Sequence, residues 1–79
     1  MDNEIEPWKL EFIEDYKNSM LKLKDIRETV WKIKHRCLEY KTNSNYGLVR
    51  QQMLYLESYI QVLKDRALLD NITLPREAL

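Results

Sequence analysis

The sequence predicts an all-α fold, an antiparallel helical hairpin, on three observations. Two stretches repeat apolar residues at alternating spacings of four and three; one cluster of turn-forming residues separates them; and neither stretch holds an internal Pro or Gly. The 79 residues make a single domain, 1–79. A chain of that size buries only about 60% of its unfolded surface, so association is a common route to added stability.

The longer stretch runs from Trp8 to Tyr40. Its seam is Phe12, Tyr16, Ser19, Leu23, Ile26, Val30, Ile33, Cys37 and Tyr40, in which Ser19 alone is strongly polar. A repeat of 3.5 residues holds one seam against a partner helix along its whole length, which predicts a long helix over residues 8–41. At 1.5 Å per residue that helix would reach roughly 50 Å. Pro7 suits the first turn, where its missing N–H costs nothing, and either Glu6 or Asn3 is the cap. Residues 1–6 are expected to form a flexible N-terminus. Cys37 has no second cysteine to pair with, and its seam position reads as a small buried hydrophobe.

The cluster Thr42-Asn43-Ser44-Asn45-Tyr46-Gly47 contains the sole Gly and several residues that favour turns and caps, so it marks one sharp reversal. After it, Val49, Met53, Leu56, Ile60, Leu63 and Ala67 give a second helix over residues 46–70. Asn43, Ser44 or Asn45 would cap its start, and Asn71 is a C-terminal residue able to accept positive φ. A short connection makes the two helices antiparallel neighbours. Residues 71–79 are expected to be extended or irregular, since Pro75 pushes Leu74 out of the helical region.

The arms of this expected hairpin are unequal. Pairing outward from the turn leaves Trp8 to Ser19 as an overhang that presents Trp8, Phe12, Ile13 and Tyr16. Four large apolar residues left in water would forgo about 1.5 to 3 kcal/mol each. Either the tail, through Ile72, Leu74 and Leu79, or a second subunit would cover them. The second helix supplies separate evidence for a second subunit: Leu48, Tyr55, Val62 and Leu69 form another column at seven-residue spacing, with Tyr59 between the columns. An arc that wide exceeds contact with one partner helix, so the sequence predicts a homodimer of hairpins forming a four-helix bundle. Its expected interface residues are Trp8, Phe12, Ile13 and Tyr16 with Leu48, Tyr55, Tyr59 and Val62.

Net charge is zero, but unevenly distributed. Residues 1–17 carry six acids against two bases, a net of −4, and residues 22–41 carry seven bases against three acids, a net of +4. Acids at a helix start and bases at its end complement the macrodipole. The same dipole favours two such helices lying antiparallel.

Catalytic chemistry finds little support in the pattern. His35, the single histidine, lacks an orienting acid, and as a metal ligand its one companion at i+4 is Glu39. One Gly cannot build a phosphate loop. The expectation is therefore no enzyme, no cofactor and no metal. Arg27, Lys34, His35, Lys41 and Arg50 beside Trp31 could meet nucleic acid, but a neutral balance and interleaved Glu28 and Glu39 weigh against counterion-driven binding. Protein binding fits better. Trp31 and Leu38 lie seven apart off the main seam, rimmed by Arg27, Lys34 and His35, and Trp beside Arg is the composition of an interface hot spot. The run Leu56-Glu57-Ser58-Tyr59-Ile60 is similar to helical-hairpin phosphatases of sporulation signalling. Met53-Leu54 stand where that family has Ser-Gln, so five residues transfer no activity.

The N-terminus lacks the basic and then apolar pattern of a signal peptide, and no apolar run approaches the roughly 20 residues that cross a bilayer. The sequence thus predicts a cytoplasmic, non-enzymatic protein-interaction module without membrane contact, of cellular, phage or viral origin. It would act as a homo-oligomer on an unidentified protein partner. A small helical nucleic-acid-binding or transcription-modulating protein is the alternative.

Overall fold

A computed structural model describes residues 6–35 and 46–76, which form two helices packed antiparallel, with no strand among the described residues. The first helix, α1, spans Pro7–Lys34, and the second, α2, spans Tyr46–Leu69. The molecule is a rod, 56 Å long and 19 Å across.

Glu6 sits in extended backbone (φ −60°, ψ 141°) just ahead of Pro7, and its carbonyl accepts the first N–H groups, from Lys9 at 2.9 Å and Leu10 at 3.3 Å. Pro7 costs the helix nothing, since an N–H in the first turn has no intrahelical acceptor. Glu6 is therefore the cap residue, though its side chain does not bond the helix N-terminus. Its carboxylate instead accepts the Trp8 indole N–H at 2.6 Å.

The expected helix over 8–41 is corrected at its C-terminal end: α1 stops at Lys34, with His35 as its C-cap at φ −96°, ψ 8°. The carbonyl of Trp31 accepts the His35 backbone N–H at 2.9 Å and lies 2.9 Å from His35 Nδ1. A side chain that turns back to the last free carbonyls is a usual way for a basic residue to close a helix. Cys37, Leu38, Glu39, Tyr40, Lys41 and the expected caps Asn43, Ser44 and Asn45 lie outside the described residues, as do residues 1–5 and 77–79.

The C-terminus of α2 is closed by backbone geometry. Asn71 takes φ +56°, and the Ile72 N–H reaches the Ala67 carbonyl at 2.8 Å. That is the six-to-one bond of a Schellman motif, with Asn in the left-handed position that Gly more often fills. Ile72 is thereby swung back onto Ala67, and both are buried.

The two seams form the core as expected. Phe12, Tyr16, Leu23, Ile60, Leu63, Ala67 and Ile72 make one buried cluster, flanked by Ile13, Met20, Ile26, Met53, Leu56 and Leu74. Ser19 is buried among the apolar seam residues, and no buried side-chain polar atom among the described residues lacks a hydrogen-bond partner.

The expected overhang is where the structure departs most. Phe12 and Tyr16 are only 7% and 3% exposed, covered by α2 and Ile72 of the same chain. The Arg66 guanidinium lies 4.9 Å from the centre of the Phe12 ring, and the Tyr59 hydroxyl reaches Asp15. The C-terminal half of α2 lies opposite the start of α1, as the Arg66–Phe12 and Tyr59–Asp15 contacts show. Of the two covers expected for that stretch, the tail is the one seen: Ile72 is buried with Phe12 and Tyr16, and Leu74 packs against the same cluster.

Candidate functional site

With the seams consumed by the hairpin, the surfaces left for partners lie on its two flanks. The first is built by α2. Residues spaced three, four and seven apart share one helix face, so Leu48, Gln52, Tyr55, Ser58, Tyr59 and Val62 line one strip. Leu48 is 60% exposed and Tyr55 67%, and Tyr59 and Val62 are also exposed. In a chain whose residues are 33% charged, only Arg50 and Glu57 carry charge between Tyr46 and Leu63, and both fall on the other side of α2. Beside the strip runs an open groove of about 610 Å³, floored by Ile26 and Leu56 and edged by Lys22, Asp25, Thr29 and Tyr55.

Two hydrogen bonds hold the tyrosines of this strip. The Gln51 amide donates to the Tyr55 hydroxyl at 2.8 Å, and the Tyr59 hydroxyl donates across the helix pair to the Asp15 carboxylate. The bond to Asp15 is the main cause that raises the Tyr59 hydroxyl above its ordinary value of 10.0, with desolvation and the Asp15 charge adding and Arg66 opposing. An anchored tyrosine loses little side-chain freedom on binding, which favours it as a contact residue.

The second flank lies on the opposite side. Arg27 forms a salt bridge with Glu57 at 3.1 Å, both partly exposed, beside a smaller cleft lined by Met20, Leu23, Ile60, Gln61 and Lys64. Trp31 follows Arg27 by one turn and so shares that flank. Its ring is 55% exposed and stacks on His35 at 4.2 Å between centroids, 23° from parallel. Lys34 is exposed nearby, and Lys32 pairs with Glu28 at 3.8 Å.

The structure thus brings Arg27, Trp31, Lys34 and His35 to one end of one flank, whereas Leu38 lies outside the described residues. Leu48, Tyr55, Tyr59 and Val62 come together on the other flank. Phe12 and Tyr16 are withdrawn as interface residues because the hairpin covers them. Ile13 is half-buried against the core, and Trp8 is folded onto Glu6 with Lys9 Nζ 5.6 Å from its ring. Asp15 and Gln51 escaped the sequence reading. The Tyr59–Asp15 contact joins residues 44 apart in sequence, which spacing along one helix does not reveal, whereas Gln51 and Tyr55 lie one turn apart on α2.

Among the described residues no three His, Cys, Asp or Glu side chains converge as a metal site would require, and no helix is long and apolar enough to cross a membrane. Fold and surfaces together define a helical hairpin with two distinct exposed flanks. No family model, curated protein or solved structure matches this chain.

Proposed function

We propose that this chain is a non-enzymatic protein-interaction module of the cytoplasm, working as a homo-oligomer: an adaptor, co-chaperone, assembly factor or inhibitor of another protein. The observation that carries the reading is the uncharged, tyrosine-bearing strip of α2, exposed along Leu48, Tyr55, Tyr59 and Val62. Interface centres are depleted in charge and enriched in tyrosine and tryptophan. An exposed apolar strip rimmed by polar residues marks a binding site more often than idle surface.

The flanks divide the work. The α2 strip serves self-association into a four-helix bundle, and the Trp31 end, with Arg27, Lys34 and His35, serves the partner. Such a division lets each protomer of an assembled bundle hold a partner on its outer side. The test compares affinity capture by the full chain with capture by Trp31→Ala. Wild type should retain a partner in defined stoichiometry that the variant loses while its own oligomer persists. Dissociation of the oligomer by Trp31→Ala would instead place Trp31 in the self-contact.

The exposed Trp31 ring and the basic end of α1 also suit nucleic acid, which is the competing reading. Described residues 22–35 carry five bases against two acids. A gel shift of DNA or RNA that fades steeply with salt would favour it.

A further inference from the structure

Resting on the homo-oligomer reading above, we infer that the α2 strip docks onto the same strip of a second copy, with the two α2 helices antiparallel and the two-fold axis at Tyr55. Three observations carry this.

The first is spacing. Leu48 and Val62 each lie seven residues from Tyr55, two helical turns either way on the same face. A two-fold axis at Tyr55 therefore sets Leu48 of one copy against Val62 of the other, twice, and Tyr55 against itself. The contact is self-complementary, as an isologous interface must be.

The second is charge. At the end of the rod holding the start of α1, residues 6–17 carry four acids against two bases, whereas the other end of α1, residues 22–35, carries a net of +3. The facing parts of α2, residues 61–70 and 46–58, are each neutral. Antiparallel docking sets the −2 end of each copy beside the +3 end of the other, whereas parallel docking sets like ends together. Complementary potentials fix the register of an interface and speed its formation.

The third is area. A rod 56 Å by 19 Å presents a side of roughly 1,000 Å², enough for the ~800 Å² per partner of a standard stable interface. The groove beside Tyr55, floored by Ile26 and Leu56, gives the side chains of the second copy an apolar place to lie.

Cysteine cross-linking of the full chain tests the arrangement in a Cys37→Ser background with a mild oxidant. Tyr55→Cys should form a disulfide-linked dimer. Leu48→Cys alone should not, whereas an equimolar mixture of Leu48→Cys and Val62→Cys should form the mixed dimer. Self-linking by Leu48→Cys would mean parallel docking and overturn the inference. In parallel, sedimentation of the chain carrying Tyr55→Glu should show the dimer dissociation constant raised by roughly 100-fold, as for a central hot-spot residue, with helical content unchanged. Gln61→Ala, a neutral change on the opposite flank of α2, should leave it unchanged. A dimer that persists in Tyr55→Glu and yields no cross-links would place the contact elsewhere and overturn this inference while leaving the homo-oligomer reading intact. Single chains at about 100 μM, where contacts of even modest affinity are populated, would overturn both.

Discussion

Single residues set the two features that give the hairpin its shape. Asn71 adopts φ +56°, which a side chain with a Cβ normally resists by about 1 kcal/mol and which Asn tolerates through its short polar side chain. Asn71→Gly should therefore leave stability equal or higher, whereas Asn71→Ala should lower it by about 1 kcal/mol, measured by urea denaturation. Tyr59 sets the second feature. Its pKa is raised in the folded chain, chiefly by the bond to Asp15, so that bond contributes its full stability below pH 10.0, and the contribution is lost as the pH rises through the higher folded value. A Tyr59-specific NMR titration should show its midpoint fall in Asp15→Ala. An unchanged midpoint would mean that Asp15 does not hold the hydroxyl in solution.

At the scale of elements, the segment after α2 acts as part of the core. Ile72 is buried with Phe12, Tyr16 and Ala67, and Leu74 packs on the same cluster. Removing the chain from Ile72 onward should cost about 2 to 5 kcal/mol, the range for deleting a large buried aliphatic side chain. On a domain this small that loss should lower the thermal midpoint by about 8 °C or more, at roughly 4–8 °C per kcal/mol. Trp31 behaves oppositely. More than half of it is in solvent and its ring contact is to His35 on its own helix, so Trp31→Ala should change hairpin stability by no more than about 0.5 kcal/mol. A larger loss, read by the same denaturation, would show that Trp31 is structural.

For the whole molecule, zero net charge hides a dipole along the rod. If association aligns opposite ends, the dimer should weaken as salt rises from about 10 mM, where charges act over ~30 Å, to 1 M, where they act over ~3 Å. Sedimentation across that range checks it, and a dissociation constant indifferent to salt would leave apolar contact alone to hold the pair. The molecule is also thinly stabilised, so removing the best-buried side chain, by Leu63→Ala, should cost 2–5 kcal/mol and unfold much of the population of isolated hairpins.

By itself the sequence determined the hairpin: both heptad seams, Pro7 as helix start, the span of α2 and the positive φ at Asn71 follow from spacing and residue type, which act locally. It also exposed the Leu48, Tyr55, Tyr59 and Val62 column, because a helix face is legible from period alone. Tertiary structure decided the register. Which residues of α1 and α2 face each other depends on contacts far apart in sequence, such as Phe12 with Arg66 and Tyr59 with Asp15, and heptad spacing carries no record of that choice. The pairing of the helices and the return of Ile72 placed Phe12 and Tyr16 in the core and brought Tyr59 to Asp15. That pairing also left the uncharged side of α2 as one apolar surface still in solvent, because burial along one seam fixes which flanks remain outside.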